Sequence, residues 1–236
     1  MIDPPERALV VFAHPDDEIG CAGTIAYWTA HGTEVTYVVC TNGNKGTEDP
    51  EISAESVAQT REQEQRDAAA VVGVKEVVFL DYPDGELEDT REFRGQVVRE
   101  IRRFRPQVVL THSPINRLRH NHRDHRNCGT VTLDAVFPYA RDPGHFAELT
   151  KDGFEPHKVG TVLMWGSDEP DEFMDISDVL ETKVRSMLCH SSQFLERPSR
   201  DRTREPGQFM MEGAKRMGEH VGIPYAEGFR KLEFRT

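Results

Sequence analysis

The chain has 236 residues, of which 37% are hydrophobic and 30% charged, and its formal net charge is −12. This length fits one compact domain. The acidic balance argues against nucleic-acid backbones and anionic membrane surfaces as partners, because both bind basic surfaces. The chain has no run of 18 apolar residues, and its first residues lack a signal-peptide pattern. We therefore expect a cytoplasmic protein that acts on a small molecule.

Strands and helices alternate along the first half of the chain. Apolar runs predict strands at 8–12, 34–41, 76–80 and 107–111, with helices at about 19–30, 53–72 and 90–104 between them. This order predicts a mainly parallel sheet wrapped by helices. Further on, the sequence predicts a helix at about 126–140, a strand at 159–165, a helix at 178–190 and a loop at 197–206. We expect one domain over 1–236, with a core at about 8–194 and a C-terminal extension at about 195–236.

The four cysteines are far apart in the sequence and form no C-x-x-C pair. Neither a thiolate zinc site nor a disulfide framework is therefore indicated. We expect buried, reduced thiols. The cysteines are Cys21, Cys40, Cys128 and Cys189.

Polar clusters follow three of the predicted strands. The segment from His14 to Glu18 reads His-Pro-Asp-Asp-Glu, the segment 81–84 contains two aspartates, and the segment 120–125 reads His-Asn-His-Arg-Asp-His. Parallel strands place their carboxyl ends at one edge of a sheet, where active sites lie. Imidazole and carboxylate ligands suit catalytic zinc. The clusters together predict a metal site, whereas His112 and His120 are expected to be ordinary hydrogen-bonded residues.

These motifs resemble those of the PIG-L/LmbE-like family of zinc-dependent N-acetylglucosaminyl deacetylases. The segment from Ala13 to Glu18, followed by Gly20, resembles its first motif, and the segment from His122 to His125 resembles its His-x-Asp-His motif. Further similarities are spread over about residues 8–194. They comprise Arg61 with Glu64, the Tyr82-Pro83-Asp84-Gly85 turn, Lys183, and the His190-Ser191-Ser192-Gln193 segment.

The resemblance implies a Rossmann-like three-layer α/β fold whose active site lies at the carboxyl ends of the strands. It implies hydrolysis of the acetamide of an N-acetylated amino sugar or its conjugate, giving acetate and a free amine. It also implies one Zn²⁺ per chain, although such a site accepts Fe²⁺ or Co²⁺, and a homotrimer or homohexamer. The resemblance implies that the metal ligands are His14, Asp17 and His125. It implies Asp16 as general base, with His122 and Asp124 as catalytic partners. The residues near the substrate would be Arg61, Asp84 and His190.

One position departs from the family pattern. Arg123 stands where the family often has proline, within a basic segment that runs from Asn116. These arginines are expected either to meet an anionic group of the substrate or to be solvated charges of little effect.

Two other classes of function remain open. The first is another metal-dependent amidase or phosphoesterase on the same fold. A two-metal phosphoesterase would need further carboxylates at the same edge, for which Asp81 and Asp84 are candidates. A non-enzymatic nucleotide-binding module is disfavoured, because the acidic segment after the first strand replaces the glycine-rich fingerprint. Metal stoichiometry distinguishes the first alternative, and nucleotide binding without hydrolysis distinguishes the second.

Overall fold

The computed structural model describes residues 2–118, 121–196 and 205–235. His120 and most of the predicted 197–206 loop lie outside the described residues. Among the described residues, seven strands form one sheet in the order β3-β2-β1-β4-β5-β7-β6. The strands are Arg7–Phe12 (β1), Glu34–Thr41 (β2), Glu76–Tyr82 (β3), Val108–His112 (β4), Thr161–Trp165 (β5), Glu172–Asp175 (β6) and Ala226–Glu233 (β7).

Helices cover both faces of this sheet. Strands β1 to β5 run parallel to one another, whereas β7 runs antiparallel to both β5 and β6. This arrangement confirms the predicted α/β fold with a mainly parallel sheet. The α-helices of the described residues are Ala22–Ala30 (α1), Ala54–Val71 (α2), Arg91–Phe104 (α3), Arg123–Asp134 (α4), Ala147–Lys151 (α5), Leu180–Cys189 (α6), Ser191–Phe194 (α7) and Gln208–Glu219 (α8).

The core has one layer on each side of β1. The apolar run of β1 is fully buried, because alternate side chains enter opposite layers. Trp28 of α1 packs in one layer, and Phe93 of α3 packs in the other. Side-chain caps fix the starts of the flanking helices, since Ser53 accepts a hydrogen bond at the start of α2 and Thr90 does so at the start of α3.

Several boundaries differ from the sequence predictions. Strand β3 continues through Tyr82, into the predicted turn. The predicted 126–140 helix is divided, because α4 begins at Arg123 and ends at Asp134, and a π-helical turn, Ala135–Ala140, follows with a break at Phe137. The predicted 19–30 helix is likewise a 3₁₀ turn, Asp17–Gly20, followed by α1.

The C-terminal strand is an internal strand of the sheet. Glu227 of β7 accepts hydrogen bonds from the backbone N–H groups of Gly23 and Thr24, each at 2.8 Å, at the start of α1. The same carboxylate forms a buried ion pair with Lys183 of α6. Residues 226–233 therefore tie the end of the chain to the helix that follows the first polar motif.

The four cysteines are free thiols, and Cys21, Cys40 and Cys128 are buried as expected, whereas Cys189 is half-buried. In the part of the chain that the structure describes, no helix combines the length and apolarity needed to cross a membrane.

A buried arginine on α3 organises the segment that follows α4. The guanidinium of Arg102, only 2% exposed, donates hydrogen bonds to backbone carbonyls of residues 139–146 and to the Thr150 hydroxyl. We expect Arg102→Met to lower the free energy of unfolding by about 3 kcal/mol, because it leaves buried carbonyls without donors. Urea unfolding measures this loss.

A second arginine of the same helix provides the control. Arg91 is 65% exposed and pairs with Glu148 at the surface, so Arg91→Met is expected to cost less than about 1 kcal/mol. Equal losses for the two variants would contradict the proposed stabilising role of Arg102.

Candidate metal centre

Three chain segments meet at the carboxyl edge of the sheet, as the topology predicts. His14 and Asp17 follow β1, Asp84 follows β3, and Asp124 and His125 lie in the first turn of α4. His14 is 7% exposed and Asp124 is fully buried. The polar groups of all three segments therefore converge in a largely buried cluster.

His14, Asp17 and His125 form a compact triangle of potential ligand atoms. His14 Nδ1 lies 3.1 Å from Asp17 Oδ2 and 3.2 Å from His125 Nε2, and His125 Nε2 lies 3.1 Å from Asp17 Oδ1. Tetrahedral zinc with bonds of 2.0–2.1 Å places its ligand atoms about 3.3–3.4 Å apart. The spacing and the chemistry of the donors therefore fit one divalent ion.

Hydrogen bonds turn the lone pairs of both imidazoles toward this triangle. His14 Nε2 lies 3.2 Å from Asp124 Oδ2, and His125 Nδ1 lies 3.1 Å from Asn121 Oδ1. In the neutral tautomers that these acceptors select, the protons are on those outer nitrogens. The opposite nitrogens are then free to bind a metal, as carboxylate and amide partners usually arrange around metal-binding histidines.

The electrostatics of the cluster favour a positive charge. Burial opposes protonation of His14, but its hydrogen bonds to Asp124, Asp17 and Asp84 raise its pKa to about 12. Burial also disfavours the charged form of Asp17, yet the neighbouring His125 and His112 lower its pKa well below the usual value. A metal cation satisfies the same electrostatic preference as the proton on His14.

Asp16 has an unusual backbone conformation and hydrogen-bond partners of its own. Its φ of 109° is rare for a residue other than glycine. The N–H group of Asp16 donates to Gln65 Oε1 at 3.0 Å, and its Oδ2 accepts from Arg61 Nη2 at 2.9 Å. Burial raises the pKa of Asp16 to about 6, although the Arg61 charge opposes this shift. The two adjacent carboxylates therefore differ in environment.

Arg61 is a buried support of this turn. It is 4% exposed and donates to the Pro15 carbonyl at 2.5 Å and the Gly43 carbonyl at 2.9 Å. A Cβ atom at Gly43 or Gly46 would collide with the guanidinium, so these glycines make room for it. Its contacts are with the turn of Asp16 and with Asp84, whose Oδ2 lies 3.7 Å from Nη1.

The three remaining predicted site residues, His122, Asp84 and His190, differ in how far they are exposed. His122 is exposed, and its ring centre lies 4.7 Å from that of His14. Burial, together with the neighbouring His14 and His125, lowers the pKa of His122. Asp84 Oδ1 lies 3.2 Å from His14 Nε2. His190 is fully buried, with Nε2 2.8 Å from Glu18 Oε1, and presents no surface to a ligand.

The structure adds three residues that the sequence analysis did not assign to the site. Asn121 orients His125, as described above. His112 stacks on the His125 ring, with ring centres 4.1 Å apart, and its ring centre also lies 4.7 Å from that of Trp165. Burial lowers the pKa of His112 to about 4, so this ring is neutral at physiological pH. Asn121 precedes His125 by four residues but lies before the start of α4, so helical periodicity does not predict this contact.

An open cleft of about 240 Å³ lies beside the triangle, against Asp17 and His125. The side chains of Asp16, Asp17, His125, Asn121 and Trp165 contribute to its walls. Gly20 lies in the same wall, where a Cβ atom would collide with the Trp165 ring. A small polar ligand entering this cleft would meet Asp16 together with Asp17 and His125, two members of the His₂Asp triangle.

A mainly parallel α/β sheet with a His₂Asp cluster at its carboxyl edge defines a class of Rossmann-like proteins with a candidate mononuclear metal centre. The chain matches the family described as "PIG-L: GlcNAc-PI de-N-acetylase" over residues 9–136, more than half of its length. It belongs to this family.

Known relatives are similar to this chain over most of its length. The diacetylchitobiose deacetylase of Thermococcus kodakarensis is 36% identical over 226 residues, covering 95% of this chain and 82% of the relative. A probable N-acetyl-alpha-D-glucosaminyl L-malate deacetylase of Bacillus anthracis is 28% identical and covers 80% of this chain and 81% of its own length. The structure of N,N'-diacetylchitobiose deacetylase from Pyrococcus horikoshii, bound to the inhibitor MPG, superposes with a TM-score of 0.90 at 30% identity, covering 97% and 84% of the two chains.

Proposed function

We propose that this protein is a metal-dependent N-deacetylase that hydrolyses the acetamide of an N-acetylated amino sugar or its conjugate. The observation that carries this proposal is the His14–Asp17–His125 triangle with the Asp16 carboxylate beside it in the same cleft. The relatives named above support the reaction class, since they are deacetylases of amino-sugar compounds.

The metal we propose is one Zn²⁺ per chain, held by His14, Asp17 and His125. Two imidazoles and one carboxylate leave a fourth position open, which is the pattern of catalytic zinc sites. Fe²⁺ and Co²⁺ would suit the same ligands. When bound, the ion would supply Lewis acidity toward the amide carbonyl and toward water.

The residues of the cleft provide the proton transfers. We assign Asp16 as the general base, because its raised pKa of about 6 suits a group that takes up and returns a proton near neutral pH. It would accept a proton from the attacking water and pass it to the leaving amine. His122, at the exposed rim, would donate a hydrogen bond to the oxyanion.

The remaining residues hold this arrangement in place. Asp124 would orient His14, and Arg61 would fix Asp16 in its strained turn. Asp84 remains a candidate for substrate contact, since it is only partly buried beside His14. Because His190 is fully buried, we place it behind the site as a support of the Glu18 segment rather than against the substrate.

Other features of the protein follow as proposals. We propose that residues 1–236 act as one domain, which the position of β7 inside the sheet supports. A homotrimer or homohexamer and a cytoplasmic location stay predictions from the sequence. Sedimentation would test the first and fractionation of the source cells the second.

Acetate release from a panel of N-acetyl sugars tests the function. The panel should contain free N-acetylglucosamine, its inositol and malate conjugates, and diacetylchitobiose, each with chelator and with zinc restored. Chelator-sensitive release from any of them supports the proposal. No release and no bound metal would refute it, while two metals per chain and phosphate release from an ester would support the phosphoesterase alternative.

A further inference from the structure

The loop between β3 and α3 carries Asp84 to the metal centre. Residues 83–90 have no regular helix or strand, so contacts from other elements determine their conformation. Ordering such a loop costs conformational entropy. Asp84 can stay beside His14 only where something holds this loop in place.

Two consecutive side chains at the start of α4 contribute to that restraint, together with the Asn127 amide, which donates to the Leu87 carbonyl at 2.6 Å, and Asn44 Oδ1, which accepts from the Asp84 N–H at 3.1 Å. Asp124 accepts hydrogen bonds from the N–H groups of Gly85 at 2.6 Å and Leu87 at 3.2 Å. Arg123 Nη1 donates to the carbonyls of the same residues, at 3.3 Å to Gly85 and 2.6 Å to Leu87. Asp124 thus accepts from the N–H groups of Gly85 and Leu87, and Arg123 donates to the carbonyls of the same two residues. The two N–H donors of Nη1 make this double contact, which leaves Nη2 to face Glu88 at 3.3 Å.

The loop is coupled to a metal-binding histidine through one oxygen atom. Asp124 Oδ2 lies 2.6 Å from the Gly85 nitrogen and 3.2 Å from His14 Nε2. A displacement of Gly85 would therefore change the carboxylate that orients the His14 ring. Arg123, whose side chain is 44% exposed, can influence this ring through the loop.

The described arginines of the basic segment are engaged by the protein itself. Arg117 pairs with Glu169 at 2.9 Å. Arg123 also reaches Glu88 at 3.3 Å, in addition to its loop carbonyls. These contacts favour a role in holding loops over the alternative that the segment binds an anionic group of the substrate.

We propose that Arg123 is a positioning residue that clamps the Gly85–Leu87 segment and thereby fixes Asp84 and Asp124 against His14. This proposal rests on the proposed function for its effect on turnover. Its effects on metal affinity and on loop order are independent of the reaction.

Arg123 can be replaced without disturbing the start of α4. It is the first residue of the helix, and the preceding His122 has φ −55° and ψ 142°, the extended conformation that a residue before proline adopts. Arg123→Pro therefore removes the guanidinium while preserving the helix. Arg123→Lys keeps the charge, but its side chain is one bond shorter and lacks the second nitrogen with which Arg123 reaches Glu88. Arg117→Ala removes an exposed charge of the same segment and is the matched control.

Three measurements test the clamp. We expect Arg123→Pro to lower zinc affinity, measured by competition with a chelator, by about 10–100-fold, as loss of an orienting partner does. In the metal-free protein, hydrogen exchange of the Gly85 and Leu87 amides should accelerate. On a neutral N-acetyl sugar kcat should fall by about tenfold or more, with KM within about twofold. Arg123→Lys should show nearly the same losses of zinc affinity, amide protection and kcat. Arg117→Ala should match the wild type in all three.

Other outcomes would overturn the proposal. Wild-type zinc affinity and amide exchange in Arg123→Pro would show that the guanidinium does not position the loop. An effect confined to KM for anionic conjugates would show instead that Arg123 contacts the substrate. If the wild type releases no acetate, the proposed function fails, while weakened zinc binding and faster exchange in the variant would still support the clamp.

Discussion

Replacing Asp17 with asparagine is expected to abolish stoichiometric metal binding and to lower kcat/KM by at least about 10³-fold. The carboxylate uses both oxygens, since Oδ1 faces His125 Nε2 and Oδ2 faces His14 Nδ1. An amide has one carbonyl oxygen, so its NH₂ group would be turned toward one of these lone pairs. The loss of turnover corresponds to the several kcal/mol of transition-state stabilisation that a metal provides.

Metal content per chain and acetate release are measured together for this variant. Chelator treatment of the wild type should reproduce the defect, and added zinc should repair the wild type but not Asp17→Asn. Asp81→Asn is the matched control, because Asp81 is exposed and its φ of 59° is one that asparagine tolerates. A metal-replete, active Asp17→Asn protein would contradict the proposed ligand set.

The parallel half of the fold could be predicted because its strands are apolar on both faces. The run from Ala8 to Phe12 has no polar alternation, which is typical of a strand between two helical layers. Strand β7 was missed because it mixes charged and apolar residues and pairs antiparallel near the sheet edge. The start of α4 was placed three residues late, since His122 is not a common capping residue, although its ring accepts from the Asp124 N–H.

The sequence predicts those residues of the site that belong to short motifs. His14, Asp17 and His125 come together because each follows a strand that ends at the same edge. Asn121, His112 and Trp165 could not be assigned, because their roles depend on ring stacking and on one amide orientation in the folded chain. The burial of His190 against Glu18, across 172 positions of sequence, was equally inaccessible to motif reasoning.

Replacing Asp16 with asparagine is expected to lower kcat by about 10²–10⁴-fold while zinc remains bound, because this is the usual contribution of general acid–base catalysis. Asparagine preserves the volume of the side chain and tolerates the positive φ of 109° better than alanine. It can still accept the Arg61 hydrogen bond through its carbonyl oxygen. KM should therefore change much less than kcat.

A second variant shows whether turnover is lost because the Asp16 carboxylate is missing or because the turn that carries it is disturbed. Asp16→Gly relieves the positive φ and opens space beside Arg61, so added formate could occupy the position of the missing carboxylate. We expect formate to restore part of the turnover of Asp16→Gly and none of that of Asp17→Asn, with zinc content measured in each sample. Near wild-type kcat in zinc-bound Asp16→Asn would show that another group moves the proton. A low kcat that formate does not improve, accompanied by lost zinc, would instead assign Asp16 to the support of the metal ligands.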